Sequence, residues 1–289
     1  MARLEIKKLT KKYGKKTVLD NIDLSLGNGV YGILGANGAG KSTLLKLITD
    51  NIKRTNGEIL LNGREILEMG AEYRKNIGYA PQVQGLFEDF TAGQFIRYIG
   101  ALKGMKRKDI KEQSGELLEL VGLNSFSHLR LGSFSGGMKQ RVMLAAAMLG
   151  DPKILIMDEP TSGLDPEERI RLRNRIAEIS DNKIVLLATH VMSDIECIAQ
   201  RVIFLKKGQL IRFSTPRELT DEIKENVGEF FGNADEISEL KQRFGKGQII
   251  RQDDGFIFRI AEEEIPDNFS PAANINLEDV YLFYAEGRK

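Results

Sequence analysis

The segment Gly35-Ala36-Asn37-Gly38-Ala39-Gly40-Lys41-Ser42 fits the pattern G-x-x-x-x-G-K-[ST], whose chemistry is the cradling of phosphate. Its glycines let the backbone curl so that successive N–H groups point inward at anionic oxygens. Lys41 can reach the outer phosphates, and the Ser42 hydroxyl can ligate Mg2+. A second reactive pair lies far downstream, where the apolar run Ile154-Leu155-Ile156-Met157 ends in Asp158-Glu159. Beside a phosphate site, Asp158 is placed to hold Mg2+ through its water shell. Glu159 is placed to orient or deprotonate an attacking water. Alternation of side chains along a strand would give these adjacent carboxylates different jobs. Each motif has a bland counterpart, a glycine-rich turn and a solvated loop start. Their co-occurrence favours the catalytic reading.

The elements that must position these groups follow from the apolar spacing. Residues 2–26 read as antiparallel strands broken at Tyr13-Gly14, and Val30–Leu34 as a buried strand running into the glycine loop. A helix from about Ser42 to Thr49 would present its positive dipole end to the same anion. Gly57–Leu61 with Asn62-Gly63 reads as strand and turn. Residues 91–122 have helical spacing, through Phe95, Ile96, Ile99, Leu102, Leu117, Leu118, Leu120 and Val121. From Ser135 to about Ile211, helices alternate with strands at 154–157, 184–188 and 202–205. That order implies a parallel sheet covered on both faces, with ligands taken at the carboxyl ends of its strands. From about 216 onward, Pro216, Pro266, Pro271 and several glycines punctuate shorter elements: a helix near 235–244, a hairpin near 248–260 and a terminal helix near 277–285. The expected organisation is an α/β domain at 1–215 with a helical insertion at about 83–135, and a small α+β accessory domain at 216–289.

Together with Phe134-Ser135-Gly136-Gly137-Met138, these motifs resemble the ATP-binding cassette (ABC) ATPase family over about residues 1–215. The phosphate loop and the Asp158-Glu159 strand match its Walker A and Walker B motifs. The family signature is Leu-Ser-Gly-Gly-Gln; Ser135, Gly136 and Gly137 agree with it, while Phe134 and Met138 depart. Ser135 would cap a helix running to about Leu149, with Gly150 ending it. The resemblance implies a P-loop ATPase core, comprising a mixed sheet, an antiparallel β subdomain and an inserted helical subdomain. It also implies ATP and Mg2+ as cofactors. Gly35, Asn37, Gly38, Ala39, Gly40, Lys41, Ser42 and Thr43 are then the loop contacts. Tyr13 would stack on adenine, Gln82 and His190 would sense the γ-phosphate, and Ser42, Gln82 and Asp158 would surround the metal. Ser162-Gly163-Leu164-Asp165 matches the loop that crosses the family's dimer interface.

One phosphate loop and one signature cannot close such a site alone. The implied assembly is a head-to-tail homodimer or heterodimer, each ATP lying between one chain's phosphate loop and the other's Ser135–Gly137. The run Phe90-Thr91 into Phe95 and Tyr98, with the ending Leu277-Glu278-Asp279-Val280-Tyr281-Leu282, is most similar to the ABC-2 exporter group. The expected function is ATP hydrolysis that drives a separate transmembrane permease, at the inner face of the cell membrane. A non-transport regulatory ATPase is the alternative. A translation-type relative would carry two cassettes, and a chromosome-type one long heptad arrays between Lys41 and Asp158.

Composition agrees with these expectations. Lys+Arg 42 against Asp+Glu 41 leaves a formal charge of +1, so no cationic surplus points to nucleic acid. The lysines at 7, 8, 11, 12, 15 and 16 read as a solvated strand edge and turn. The start lacks a signal-peptide core, and the longest apolar runs are of strand length, so membrane contact is expected only through the permease. The single cysteine, Cys197, suits a reducing compartment and reads as a packed small hydrophobe. Nothing recognisable as a nucleotide contact falls after residue 215, which assigns the C-terminal segment to stabilising or regulating the dimer.

Overall fold

Alternating apolar residues set the first layer. The computed structural model describes residues 1–81 and 86–286. Strands β1 (Leu4–Tyr13) and β2 (Lys16–Leu26) pair antiparallel, with Leu4 opposite Leu26 and Leu9 opposite Ile22. β3 (Gly29–Leu34) then feeds α1 (Lys41–Ile48). β4 (Asn56–Leu61) turns at Asn62-Gly63 into β5 (Arg64–Glu65). Positive φ at both turn residues gives the tight hairpin geometry expected of an Asn-Gly pair. These strands form a sheet in the order β2-β1-β4-β5.

Two short helices, α2 (Ile66–Met69) and α3 (Ala71–Lys75), lead to β6 (Ile77–Ala80). Beyond residue 86 come α4 (Ala92–Leu102) and α5 (Arg107–Leu120). Thr91 starts α4 through a reciprocal capping box with Gln94. Then α6 (Gly136–Met148), β7 (Ile154–Asp158), α7 (Pro166–Ser180), β8 (Ile184–Ala188), α8 (Met192–Ile198), β9 (Arg201–Lys206) and β10 (Gln209–Ser214) alternate. Asp165 caps α7 by accepting from Glu168 N, with Pro166 at its first position. The second sheet has the order β10-β9-β3-β8-β7-β6. β3, β6, β7, β8 and β9 run parallel in it. Every residue of β3 and β8 is buried, as a strand covered on both faces requires.

The chain divides into two compact units, Met1–Ile211 and a second beginning at Arg212. The second contains α9 (Pro216–Glu222), β11 (Val227–Gly232), α10 (Ala234–Phe244), β12 (Gln248–Gln252), β13 (Gly255–Ala261), β14 (Ser270–Pro271) and α11 (Leu277–Glu286). Its sheet has the order β12-β13-β11-β14, and Ile237 and Leu240 of α10 pack on Phe258, Ile260 and Phe269. Arg259 is buried and gives Asp279 two hydrogen bonds, of 2.7 and 2.6 Å, and Glu229 a third of 2.5 Å. Removing Arg259 would leave the buried Asp279 carboxylate without its counter-charge.

Three differences from the sequence reading have physical causes. β6 is a strand that the sequence signals do not reveal, because it is four residues long and contains Gly78. A Cβ at Gly78 would lie 2.1 Å from the Ala147 carbonyl oxygen, so glycine here reflects close packing on α6. β11 is hidden in the same way, with Gly228 inside it and Gly232 at its end, where a Cβ would lie 2.6 Å from Ile265 Cγ2 and from Glu236 Oε2 respectively. Cys197 is exposed, not packed, because it lies on the outer side of α8, with Arg173 Nη1 3.5 Å from its sulfur.

Candidate active site

The parallel register delivers the reactive segments to one edge. Ile33 pairs with Ala188, Asp158 with Ala188, and Ala80 with Met157. The chain leaving β3, β7 and β8 therefore carries Gly35, Glu159 and Thr189-His190 to the same end of the sheet, as parallel α/β sheets do at their ligand edge.

Residues 35–40 connect β3 to α1, and glycine is required there by backbone geometry. Gly35 has φ +144, and a Cβ on it would meet the Leu205 carbonyl oxygen at 2.2 Å. Gly40 has φ +111 and would meet Leu19 Cδ2 at 2.6 Å. Asn37 and Gly38 are exposed, while Ala39 is buried and its carbonyl accepts from Gly208 N at 3.0 Å. Lys41 opens α1 half-buried, so it does not sit on a solvent-facing loop. Its ammonium donates to the carbonyls of Gly35 at 2.5 Å and Ala36 at 3.2 Å. Burial pulls its pKa down, and the nearby charges of Glu159 and Asp158 oppose that shift. Ser42 is exposed and Thr43 half-buried on the first turn of α1.

Asp158 ends β7 half-buried. Burial raises its pKa, the adjacent Glu159 carboxylate adds to the rise, and Lys41 and Lys46 counter it. Glu159 lies beyond the strand with φ +55. The two carboxylates are thus separated by a left-handed residue at the strand's end, not by the pleat expected from sequence. Such a conformation costs a non-glycine residue about 1–2 kcal/mol and persists where its surroundings over-determine it. Here they do. Glu159 N donates to Ala188 O at 2.7 Å, and Glu159 O accepts from Gln140 Nε2 at 2.8 Å. His190 N donates to Oε1 at 3.0 Å, and Thr189 Oγ1 lies 3.3 Å from Oε2. His190 Nδ1 sits 2.7 Å from Oε2, with the rest of its ring exposed. Each carboxylate oxygen has two lone pairs, so a carboxylate fixed in this way can still accept a proton from water, at Oε1 beside the single His190 N bond.

Ser135 caps α6, its hydroxyl accepting from Met138 N at 3.2 Å. α6 ends at Met148, and Gly150 follows with φ +83. A Cβ at Gly137 would lie 2.8 Å from both Glu168 Oε2 and Leu164 Cδ2, so α6 starts tight against the loop before α7. Tyr13, at the end of β1, is half exposed, with Lys11 Nζ 4.6 Å from its ring centroid. Gln82 lies outside the described residues.

Sequence reasoning missed three contributors. Gln140 ties the signature helix to Glu159. Thr161 and Asp194 are both buried and share a 2.6 Å hydrogen bond, with Arg173 Nη1 3.3 Å from the same carboxylate. Asp194, four residues after His190 on a short polar helix, gives no sequence sign of being buried.

The chain is similar to known proteins. The profile of the family described as ABC transporter matches residues 19–162. The chain is 37% identical to the uncharacterized ABC transporter ATP-binding protein YxlF of Bacillus subtilis, over 78% of this chain and 75% of that protein. It is 33% identical to the Nod factor export ATP-binding protein I of Paraburkholderia xenovorans, over 97% of this chain and 96% of that protein. Among solved structures, it is similar to the dimeric post-hydrolysis state of an ATP-binding cassette bound to ADP and Pi. That likeness has 27% identity and a TM-score of 0.66, covering 73% of this chain and 98% of that one.

Proposed function

We propose, from the premise that this chain belongs to the ABC transporter family as an ATP-binding, ATP-hydrolysing cassette, that it energises an exporter. In this proposal Lys41 and the amides of residues 35–43 hold the β- and γ-phosphates, and Tyr13 offers its half-exposed ring to adenine. Ser42 and Asp158 hold Mg2+, with Gln82 as a further ligand. The donor set fits that ion: with Asp158 acting through the water shell, Ser42 and Gln82 would supply the one or two direct protein oxygens, and phosphate oxygens and water the rest. Burial first, and then the neighbouring Glu159 carboxylate, raise the pKa of Asp158, and a bound cation would favour its ionised form. When bound, Mg2+ would neutralise the charge developing on the phosphates.

The observation that carries the mechanism is the fixation of Glu159. Its backbone and carboxylate are held by Ala188, Gln140, Thr189 and His190, beside Lys41 and Asp158. A general base needs this positioning more than it needs strength. His190, hydrogen-bonded through Nδ1, keeps Nε2 free to meet the γ-phosphate. Ser135, Gly136 and Gly137 complete the site of a second chain in a head-to-tail dimer. The dimeric relative bound to ADP and Pi supports assembly as a dimer.

Export is supported by the Nod factor export relative, whose match extends through the second unit of this chain. Among the described residues no helix is long and apolar enough to cross a membrane. The permease is proposed as a separate chain. The exposed ring of Phe87, tilted against Phe90 at 5.1 Å and edge-to-face with Tyr98 at 5.5 Å, is the surface proposed to meet it. The cassette would then work at the inner face of the membrane.

Lys41→Ala tests the site. Removing a cation that makes two charge-assisted contacts, each about 1.5–3 kcal/mol, should weaken Mg-ATP binding about 100-fold or more while leaving the circular dichroism unchanged. Binding and turnover at parental levels would refute the assignment.

A further inference from the structure

Among the described residues, the sheet of the second unit has one blunted edge and one open edge. β14 is two residues long and ends in Pro271, which has no N–H to offer a neighbour. β12, at the opposite edge of the same sheet, has five residues and carries two consecutive isoleucines. Ile249 and Ile250 are 45% and 41% exposed. An open edge with apolar side chains is what folds normally avoid, because it templates pairing with another strand.

The register extends this surface across the sheet. Ile250 pairs with Ile257, and Ile257 with Phe231, so the three share one face in a row. Phe231 is 55% exposed. The neighbouring row on that face, Glu229, Arg259 and Gln248, is engaged by Asp279 and Glu278 of α11. The apolar row lies beyond those contacts.

We propose that β12 pairs antiparallel with β12 of a second copy of this chain, on a two-fold axis at Ile250. The charge order along the edge selects this occupant. Lys246 precedes the strand, and the Asp253-Asp254 turn follows it. Antiparallel self-pairing brings the basic end of each strand to the acidic turn of the other. It sets Gln248 opposite Gln252 and lays the Arg251 stem on Ile249. Parallel pairing would set like charges together. A two-fold perpendicular to the sheet keeps the faces aligned. The apolar row then continues through Ile250 into the second copy's Ile250, Ile257 and Phe231, as an isologous interface requires. The association needs no nucleotide, so it stands or falls separately from the ATP site.

The test uses the full chain without nucleotide, in a Cys197→Ser background. Residues directly opposite in an antiparallel pair have Cα atoms about 4.5–5.5 Å apart, within disulfide reach. Ile250→Cys should therefore give a disulfide-linked dimer on mild oxidation with copper phenanthroline. Ile249→Cys lies off the axis, about 8 Å from its own mate, and should not. In sedimentation equilibrium, Lys246→Glu and Asp254→Lys should each raise the dimer Kd about tenfold, and the double variant should restore it. Absence of the Ile250→Cys crosslink, equal crosslinking at both positions, or failure of the double variant to restore association would each overturn the proposal. A parent chain that stays monomeric in sedimentation would also overturn it, and would leave the edge to a strand of another protein.

Discussion

Replacing Thr161 by valine deletes one hydroxyl and keeps the side chain's shape, so its effect reports a single hydrogen bond. Thr161 is 1% exposed and Asp194 fully buried, and Oγ1 donates to Oδ2 at 2.6 Å. Hydrogen bonds to charged groups contribute about 1.5–3 kcal/mol, and a buried acceptor left without its donor costs its full desolvation. Arg173, 3.3 Å from Oδ1, remains as the counter-charge and limits the loss. The expected destabilisation is about 2 kcal/mol. The bond links the segment two residues after Glu159 to the helix that follows His190, so turnover should fall more than nucleotide affinity. Urea unfolding followed by far-UV circular dichroism reads the stability. Steady-state ATPase assays separate kcat from KM. In an Asp194→Asn background the same substitution should cost no more than about 1 kcal/mol, because its acceptor is then neutral. A Thr161→Val protein within about 0.5 kcal/mol of the parent would refute the reasoning.

Phe87→Asp places a charge in the exposed aromatic cluster. It should leave ATP binding by the isolated chain intact while reducing co-purification with the membrane partner; unchanged recovery would assign the cluster to packing alone. Lys103 is half-buried and donates to Leu149 O at 2.6 Å, and burial outweighs that bond to bring its pKa down to about 8. Its unfolded value is about 10.4, so between these two pH values the unfolded state binds more protons, and this group makes stability rise with pH. Thermal unfolding from pH 7.5 to 10 should show that slope in the parent and a shallower one in Lys103→Met. Equal slopes would contradict it.

The core of the first unit is legible in the sequence because its signals are long or chemically rare. Ile154–Met157 and Ile184–Ala188 are continuous apolar runs that only a doubly covered strand accommodates, and Gly35–Ser42 combines glycines with a lysine at fixed spacing. β6 and β11 escape such reading because their glycines are chosen for close packing and interrupt the β pattern. Cys197 misleads because residue type reports average burial, whereas α8 happens to turn that position outward. Around the site, the presence of Asp158 and Glu159 is legible, but the way they diverge is not. The left-handed turn at Glu159 is held by Ala188 and His190 at the end of β8 and by Gln140 of α6, two segments distant in sequence from Glu159. The Thr161–Asp194 bond depends likewise on tertiary packing of α8, which no local pattern encodes.

The central claim is that Glu159 activates the attacking water in an ATP-bound dimer completed by Ser135 of the second chain. Glu159→Gln keeps the size and the hydrogen bonds to His190 N and Thr189 but cannot accept a proton, a loss that typically costs about 100- to 10,000-fold in rate. Lys41, Ser42 and Asp158 are untouched, so Mg-ATP should still bind. The most direct measurement is light scattering on a size-exclusion column with Mg-ATP, comparing Glu159→Gln with Glu159→Gln/Ser135→Arg at a loading concentration where both elute as monomers without nucleotide. The account predicts a stable dimer that hydrolyses ATP slowly in the first and a monomer in the second. A Glu159→Gln protein that turns over ATP at the parental rate, or a double variant that still dimerises on ATP, would contradict it.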